Sequence, residues 1–213
     1  FMFDGERLIQ HIIKQRYFEE EISNEVNLSY SDNQVTVTTD YLTLVYTLNS
    51  EGYASQCVYS LSSQNRIYQF SYSAEGYLTG IVENIDDTEY SSTSLTYENG
   101  DITSISSKMN GLENKFIYEP GEESSTYHLP CLGLLEIHPL TFHIEALYAG
   151  LLGKDPRHFT MHSCPAGSND EKTVYSYGFD KKGNPSRMIC QTTYAGGQAS
   201  YYPYTRNISI SFE

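Results

Sequence analysis

Over long stretches of the chain, apolar residues fall at every second position, which is the period of a β-strand with one face buried. Val26, Leu28 and Tyr30 alternate with Asn27 and Ser29, a polar SDNQ turn follows, and Val35 and Val37 alternate with Thr36 and Thr38. The pattern predicts an antiparallel hairpin with one wet face. Leu42, Leu44, Tyr46 and Leu48 carry it onward, and at the far end Ile208, Ile210 and Phe212 alternate with Ser209 and Ser211 after a Tyr-rich stretch near Tyr194 to Tyr204. Between these, loops are expected at Asn84 to Ser92, Asn110 to Asn114 and Pro120 to Ser125. From Phe3 to Phe18 the pattern is ambiguous: Leu8, Ile9, Ile12 and Ile13 suit a helix or a strand equally. Glu19, Glu20 and Glu21 then read as a solvated edge.

Within the alternation one unit recurs. The copies are YTLNSEGYASQC (46–57), FSYSAEGYLTGI (70–81), LTYENGDITSI (95–105, one residue shorter) and YGFDKKGNPSRM (177–188). Each opens with two bulky residues two positions apart, Tyr46 and Leu48, Phe70 and Tyr72, Leu95 and Tyr97, or Tyr177 and Phe179. Each then runs through polar residues to Gly52, Gly76, Gly100 or Gly183. A type I turn closed by a left-handed glycine would reverse the chain there. After the glycine comes an apolar or small residue, usually a Ser or Thr beyond it, and finally Cys57, Ile81, Ile105 or Met188. Apolar residues three apart, such as Leu78 and Ile81, would face opposite ways on a regular strand, so a β-bulge or a strand partly covered on both sides is expected.

The alternation stops between Leu129 and Pro156. There TFHIEALYAGLLGKDP reads as a helix near 141–152: Thr141 can cap it, Phe142, Ala146, Leu147 and Leu151 share a face, Gly153 suits a left-handed end and Pro156 blocks continuation. The fold class expected is mainly β, a curved antiparallel meander (a roll or half-open barrel) of repeated hairpins. One helix would pack on it as part of an insertion at about 130–156 in a single domain, 1–213.

Composition narrows the partners. A net charge of −14 over 213 residues argues against phosphate-facing surfaces, and so against nucleic acid and anionic membranes as targets. The chain carries 20 Tyr and no Trp, which fits strands with half-buried rings and leaves carbohydrate stacking open as a ligand chemistry. No apolar run reaches the length of a membrane-spanning helix. The wet face of Thr, Ser and Asn also speaks against a lipid-facing barrel. With the chain starting at Phe1, a native N-terminus further upstream is expected, explained by removal of a leader or lipoprotein signal or equally by an arbitrary boundary.

Candidate chemistry is sparse. Five of the six histidines lie between His128 and His162. His158, His162 and Cys164, with His128 or His138, would be the set to hold zinc, but their spacing matches no standard site. Cys57, Cys131, Cys164 and Cys190 contain no CxxC pair and leave disulfide connectivity open, with Cys57 in a core slot of the repeat. Ser163 sits beside His162 without a nucleophile elbow. The carboxylate pairs Asp86 and Asp87, and Glu122 and Glu123, fall in loop-like runs. GLLGK lacks the spacing of a phosphate loop and ends a helix instead of starting one. No catalytic, cofactor-binding or metal residue is assigned.

The phrase AGLLGKDPRHFT (149–160) followed by YSYGFDKKGNPSRM (175–188) resembles a family of exported proteins and lipoproteins from Bacteroidetes, a domain of unknown function with a porin-like β fold. Gly150, Leu151, Leu152, Gly153 and Lys154 match its first phrase. Tyr175, Tyr177, Asp180, Gly183 and Pro185 match its second, with Gly178 and Phe179 intervening. The hairpins are also similar, more weakly, to the tyrosine–aspartate repeats of large secreted proteins. The resemblance implies export to the periplasm, the outer-membrane surface or the medium, and brings no reaction with it. The function expected is a non-enzymatic cell-envelope module binding an unknown ligand or protein partner. A hydrolase of surface polysaccharide or peptide and an assembly scaffold are the alternatives.

Overall fold

The computed structural model describes residues 2–5, 7–17, 20–61, 64–124, 137–168, 171–181, 185–194 and 204–209. The chain divides into two compact units, Phe1–Ser92 with Phe142–Lys154, and Thr93–Thr141 with Asp155–Ser211. The first contains β1 (Met2–Asp4), β2 (Arg7–Tyr17), β3 (Glu20–Tyr30), β4 (Gln34–Thr38), β5 (Thr43–Leu48), β6 (Ala54–Leu61), β7 (Gln64–Tyr72), β8 (Leu78–Ile85) and the short helix α1 (Ile144–Tyr148). The division falls within β9 (Thr88–Glu98). The second unit continues with β10 (Asp101–Met109), β11 (Leu112–Ser124), β12 (His158–Pro165), β13 (Glu171–Phe179), β14 (Pro185–Tyr194) and β15 (Tyr204–Ser209). The strand order is the chain order, so the fold is the expected mainly-β antiparallel meander. The ambiguous N-terminal stretch resolves as the strands β1 and β2.

The first unit's core is the buried face of that alternation. Val35 and Val37 on β4 are buried while Thr38 is exposed, and Leu28, Leu44, Tyr46, Tyr68 and Phe70 line the same interior. Each such side chain contributes roughly 1.5–3 kcal/mol on leaving water. The repeat explains how apolar residues three apart reach one face. Thr47 and Leu48 pair with Gln56 and Ala54, Ser71 and Tyr72 with Gly80 and Leu78, and Gly178 and Phe179 with Arg187 and Pro185. One residue is therefore extra in each second strand: Ser55, Thr79 or Ser186. This is the expected β-bulge, and it turns Ala54 with Cys57, and Leu78 with Ile81, inward together. It also accounts for the hydroxyl at that slot: Ser55 Oγ donates to the Thr47 carbonyl at 3.0 Å and Ser186 Oγ to the Gly178 carbonyl at 3.3 Å.

The turns are as expected in two copies and different in the third. Gly52 and Gly76 are left-handed, at φ 84° and 92°, and their N–H groups close on the Asn49 and Ser73 carbonyls. The Asn49 and Ser73 side chains accept the N–H groups inside each turn. The third copy, one residue shorter, makes a two-residue turn in which Asn99 and Gly100 both have positive φ. That is the primed hairpin geometry, which tolerates Asn-Gly and suits strand twist. Gly183 lies outside the described residues.

Several expectations are corrected. Asn84 to Ser92 is no loop, because β8 and β9 are joined by Asp86 and Asp87, both at positive φ. Asn110–Gly111 is a third two-residue turn with both φ positive, and β11 runs through Pro120 to Ser124 with irregular register there. The helix expected near 141–152 is much shorter. A 3-10 turn at Leu140–Phe142 precedes α1, whose N-cap is His143, with no capping bond from a side chain, instead of Thr141. The chain leaves α1 at a left-handed Gly150, because a β-branched, aromatic stretch this short gains little from helix propagation. Residues 129–136 of the expected insertion lie outside the described residues, as do 195–203 and 210–213 of the C-terminal stretches.

GLLGK is a clamp on the hairpins. Ala54 N–H donates to the Leu151 carbonyl at 2.7 Å, and Lys154 N–H donates to the Gly76 carbonyl at 2.9 Å. Tyr72 Oη donates to the Ala54 carbonyl at 2.7 Å. Gly153 has φ 89°, and a Cβ there would meet the Tyr72 ring at 3.0 Å. Within the second unit, Arg157 N–H donates to the Gly100 carbonyl of the third copy at 3.0 Å.

Candidate functional site

The register of the second unit assembles a cleft. Ile105 faces Phe116 and Ser107 faces Asn114 across β10 and β11. A second row crosses four strands, from Tyr118 on β11 to Ser163 on β12, Thr173 on β13 and Thr192 on β14. Neighbouring strands lie about 4.8 Å apart, so this row sets side chains at that spacing on one face. Together with Ile137, His138, Tyr175, Glu171 and the Met109–Leu112 hairpin they line a cavity of about 590 Å³, within the range of roughly 300–1,000 Å³ usual for small-molecule sites.

Polar groups hold its walls. Ser163 Oγ and Tyr175 Oη are 3.0 Å apart, and Thr173 Oγ1 and Thr192 Oγ1 2.9 Å apart. Thr93 and Ser107 hydroxyls lie 3.1 Å from one another and each 3.1 Å from the His138 carbonyl, fixing Ile137 and His138 against the sheet. The His138–Pro139 peptide is cis. The lip is apolar: Leu112 is 73% exposed.

The zinc set does not come together. His158 Nδ1 pairs with Asp101 Oδ2 at 2.8 Å, and its N–H donates to Asp101 Oδ1 at 2.7 Å. His162 Nδ1 pairs with Glu119 Oε2 at 3.0 Å. Four residues along one strand is about 13 Å, so the two imidazoles serve different carboxylates, and His138 sits at the cleft wall. Among the described residues no group of three potential ligands converges, and His128 lies outside them. Ser163 points into the cleft beside Tyr175 while His162 turns to Glu119, since neighbours on a strand face opposite ways. Asp86 and Asp87 are exposed turn residues and Glu122 is exposed.

Cys57 and Cys164 are free thiols, Cys190 is buried, and Cys131 lies outside the described residues. Cys57 is fully buried opposite Tyr46. Burial pushes its thiol up to about 12, against a hydrogen bond with Tyr46 that pulls it down. It is a core residue, as its slot in the repeat implies.

Sequence reasoning missed the polar interior of the first unit. His143 is fully buried, its Nδ1 2.8 Å from Tyr46 Oη, with the Tyr68 ring edge-on at 4.3 Å. Burial, with the nearby Cys57 and Glu145, raises the Tyr46 pKa well above its usual value. Beside it Glu83, with no exposed surface, lies 3.3 Å from Arg66 Nη1 and accepts the Ser91 hydroxyl at 2.7 Å. Arg66 is flanked by the rings of Tyr59, Tyr90 and Phe142. Burial would lower its pKa, but the hydrogen bond and charge of Tyr68 and the charge of Glu83 outweigh it and raise it. The only sequence signal is that Glu83 occupies an inward position of β8, two residues beyond Ile81.

The fold is an antiparallel β-meander with a cleft on one face of the second unit's sheet, and known proteins place it in a family. A family model described as a domain of unknown function (DUF4595) with porin-like fold matches residues 4–187, and the chain belongs to that family. A porin-like protein from Bacteroides uniformis ATCC 8492 is similar in structure, at TM-score 0.80 and 27% identity, covering 94% of this chain and 82% of that one. A porin-like protein from Bacteroides vulgatus ATCC 8482 shares the fold at TM-score 0.62 and 12% identity, covering 95% of this chain and 97% of that one. No curated protein matches the sequence. Among the described residues no helix is long and apolar enough to cross a membrane.

Proposed function

We propose that this chain is a non-enzymatic, exported cell-envelope module that binds a ligand in the cleft of its second unit. The observation that carries the reading is the cleft itself, which is large enough for a small molecule and mixes aromatic, aliphatic and hydroxyl side chains. Its lining includes one carboxylate, Glu171, whereas acid–base hydrolysis of a glycosidic bond ordinarily uses two at fixed separation. The similarity to porin-like proteins of Bacteroides supports the envelope location.

The chain has no Trp, so Phe116→Trp places a single reporter in the cleft with little change of shape. Low-molecular-weight fractions of Bacteroides envelope material should shift its emission saturably. A reporter that responds to no fraction, in a protein that remains folded by circular dichroism, would sink the reading.

A further inference from the structure

The geometry points to a neutral, hydroxyl-rich ligand, a short uncharged saccharide, as the occupant of the second unit's cleft, an inference that rests on the binding reading above. The charge comes first. Among the described residues the lining contains no Lys or Arg and a single carboxylate, Glu171, and the whole chain carries −14. A phosphorylated, sulfated or uronic ligand would enter a negative field with no cation to meet it. A strongly cationic ligand would meet one acid where several would be needed to offset its desolvation.

Next come the groups that orient a ligand. The register sets Ser163, Thr173 and Thr192 side by side on adjacent strands. Thr173 and Thr192 share one hydrogen bond at 2.9 Å. Two hydroxyls carry two protons, and the bond between them uses one, so the pair still presents a donor together with several lone pairs. The amide of Asn114 adds both kinds of group. A surface that donates and accepts at the same place suits hydroxyls, each of which does the same. The partly exposed ring of Phe116, backed by the edges of the buried Tyr118 and Tyr175, supplies the apolar counterpart, against which the C–H face of a sugar ring loses water favourably. The combination of ring faces with uncharged, bifunctional polar groups is specific in a way the tyrosine count alone is not, because most of the chain's tyrosines lie elsewhere.

The test uses the whole chain on an array of neutral, sulfated and uronic oligosaccharides, with blocked, uncharged peptides alongside, followed by titration calorimetry on whatever binds. Two volume-conserving variants, Thr173→Val and Tyr175→Phe, each remove one hydroxyl. The expected result is binding of at least one neutral oligosaccharide, weakened tenfold or more by Thr173→Val, with its sulfated counterpart at least tenfold weaker. If the peptides bind, Thr173→Val weakens them and no neutral oligosaccharide binds, the saccharide assignment is overturned while the cleft remains a binding site. If a saccharide binds with an affinity that neither variant changes, it sits outside the cleft and the saccharide assignment is overturned, while the Phe116→Trp reporter decides whether the cleft binds anything else. Absence of binding to every neutral oligosaccharide on the array also overturns the assignment, and the Phe116→Trp reporter then decides independently whether the cleft binds anything.

Discussion

Gly153 lies so close to Gly76 that a Cβ added at Gly153 would sit 2.6 Å from the Gly76 carbonyl oxygen. Two glycines from separate parts of the chain thus meet backbone to backbone, one from the GLLGK phrase and one from the turn of the second repeat copy. The contact allows Lys154 N–H to reach the Gly76 carbonyl at 2.9 Å. It turns a sequence signature into a mechanical statement: the phrase is glycine-bounded because it lies on a hairpin.

Gly153→Ala should therefore cost stability twice, through its φ of 89° and through the clash, for a loss of about 3 kcal/mol or more. Gly52→Ala is the control. Its φ is 84° but nothing lies within 4 Å of the added carbon, so about 1–2 kcal/mol is expected from backbone strain alone. Urea unfolding of the two variants measures the difference; equal losses would show that the close approach carries no weight.

The buried pair of Glu83 and Arg66 makes a second prediction. Glu83→Ala leaves the partly exposed Arg66 guanidinium without its counter-charge and should cost about 1.5–3 kcal/mol. Replacing both, as Glu83→Leu with Arg66→Met, should recover most of that loss, because a buried ion pair repays little more than its own desolvation. A double variant as unstable as Glu83→Ala would show instead that the pair, with its ring contacts, contributes in its own right.

Tyr46 and His143 can be separated by Tyr46→Phe, which keeps the ring and deletes the hydroxyl 2.8 Å from His143 Nδ1. A loss of about 1–3 kcal/mol is expected, since a buried ring nitrogen loses a partner. Thermal unfolding checks it, and an unchanged midpoint would contradict the bond.

Alkali provides a further measurement. The Cys57 thiol rises from 9.0 to about 12 on folding, so the stability it contributes is fully present below pH 9 and is lost as the pH climbs toward about 12. Burial raises Tyr46, Tyr68 and Tyr72 in the same direction. Stability should fall through this window, and Cys57→Ala should reduce the slope by up to one proton's worth, leaving the tyrosine part. A slope unchanged by the substitution would mean that Cys57 ionises freely in the folded chain.

The sequence by itself determined the mainly-β class, the hairpin repeat and the need for a bulge or a doubly covered strand within it, while the N-terminal strands and the strand stretches at 84–92 and 120–124 took the structure to decide. Alternation is local physics, and apolar residues such as Leu78 and Ile81, three apart, can share a face only if one residue is extruded. It also determined the resting place of Cys57, because the repeat aligns it with Ile81 and Met188. The helix was misjudged in extent, since its apolar spacing reflects packing on the hairpins: Ala146, Leu147, Leu151 and Leu152 are all buried, but only Ile144–Tyr148 is helical. What only the tertiary structure decided is which distant residues share a place. Register brings Tyr118, Ser163, Thr173 and Thr192 into one row and sets Glu83 beside Arg66. These relations depend on the exact register of each consecutive strand pair, and no local pattern of polarity encodes it.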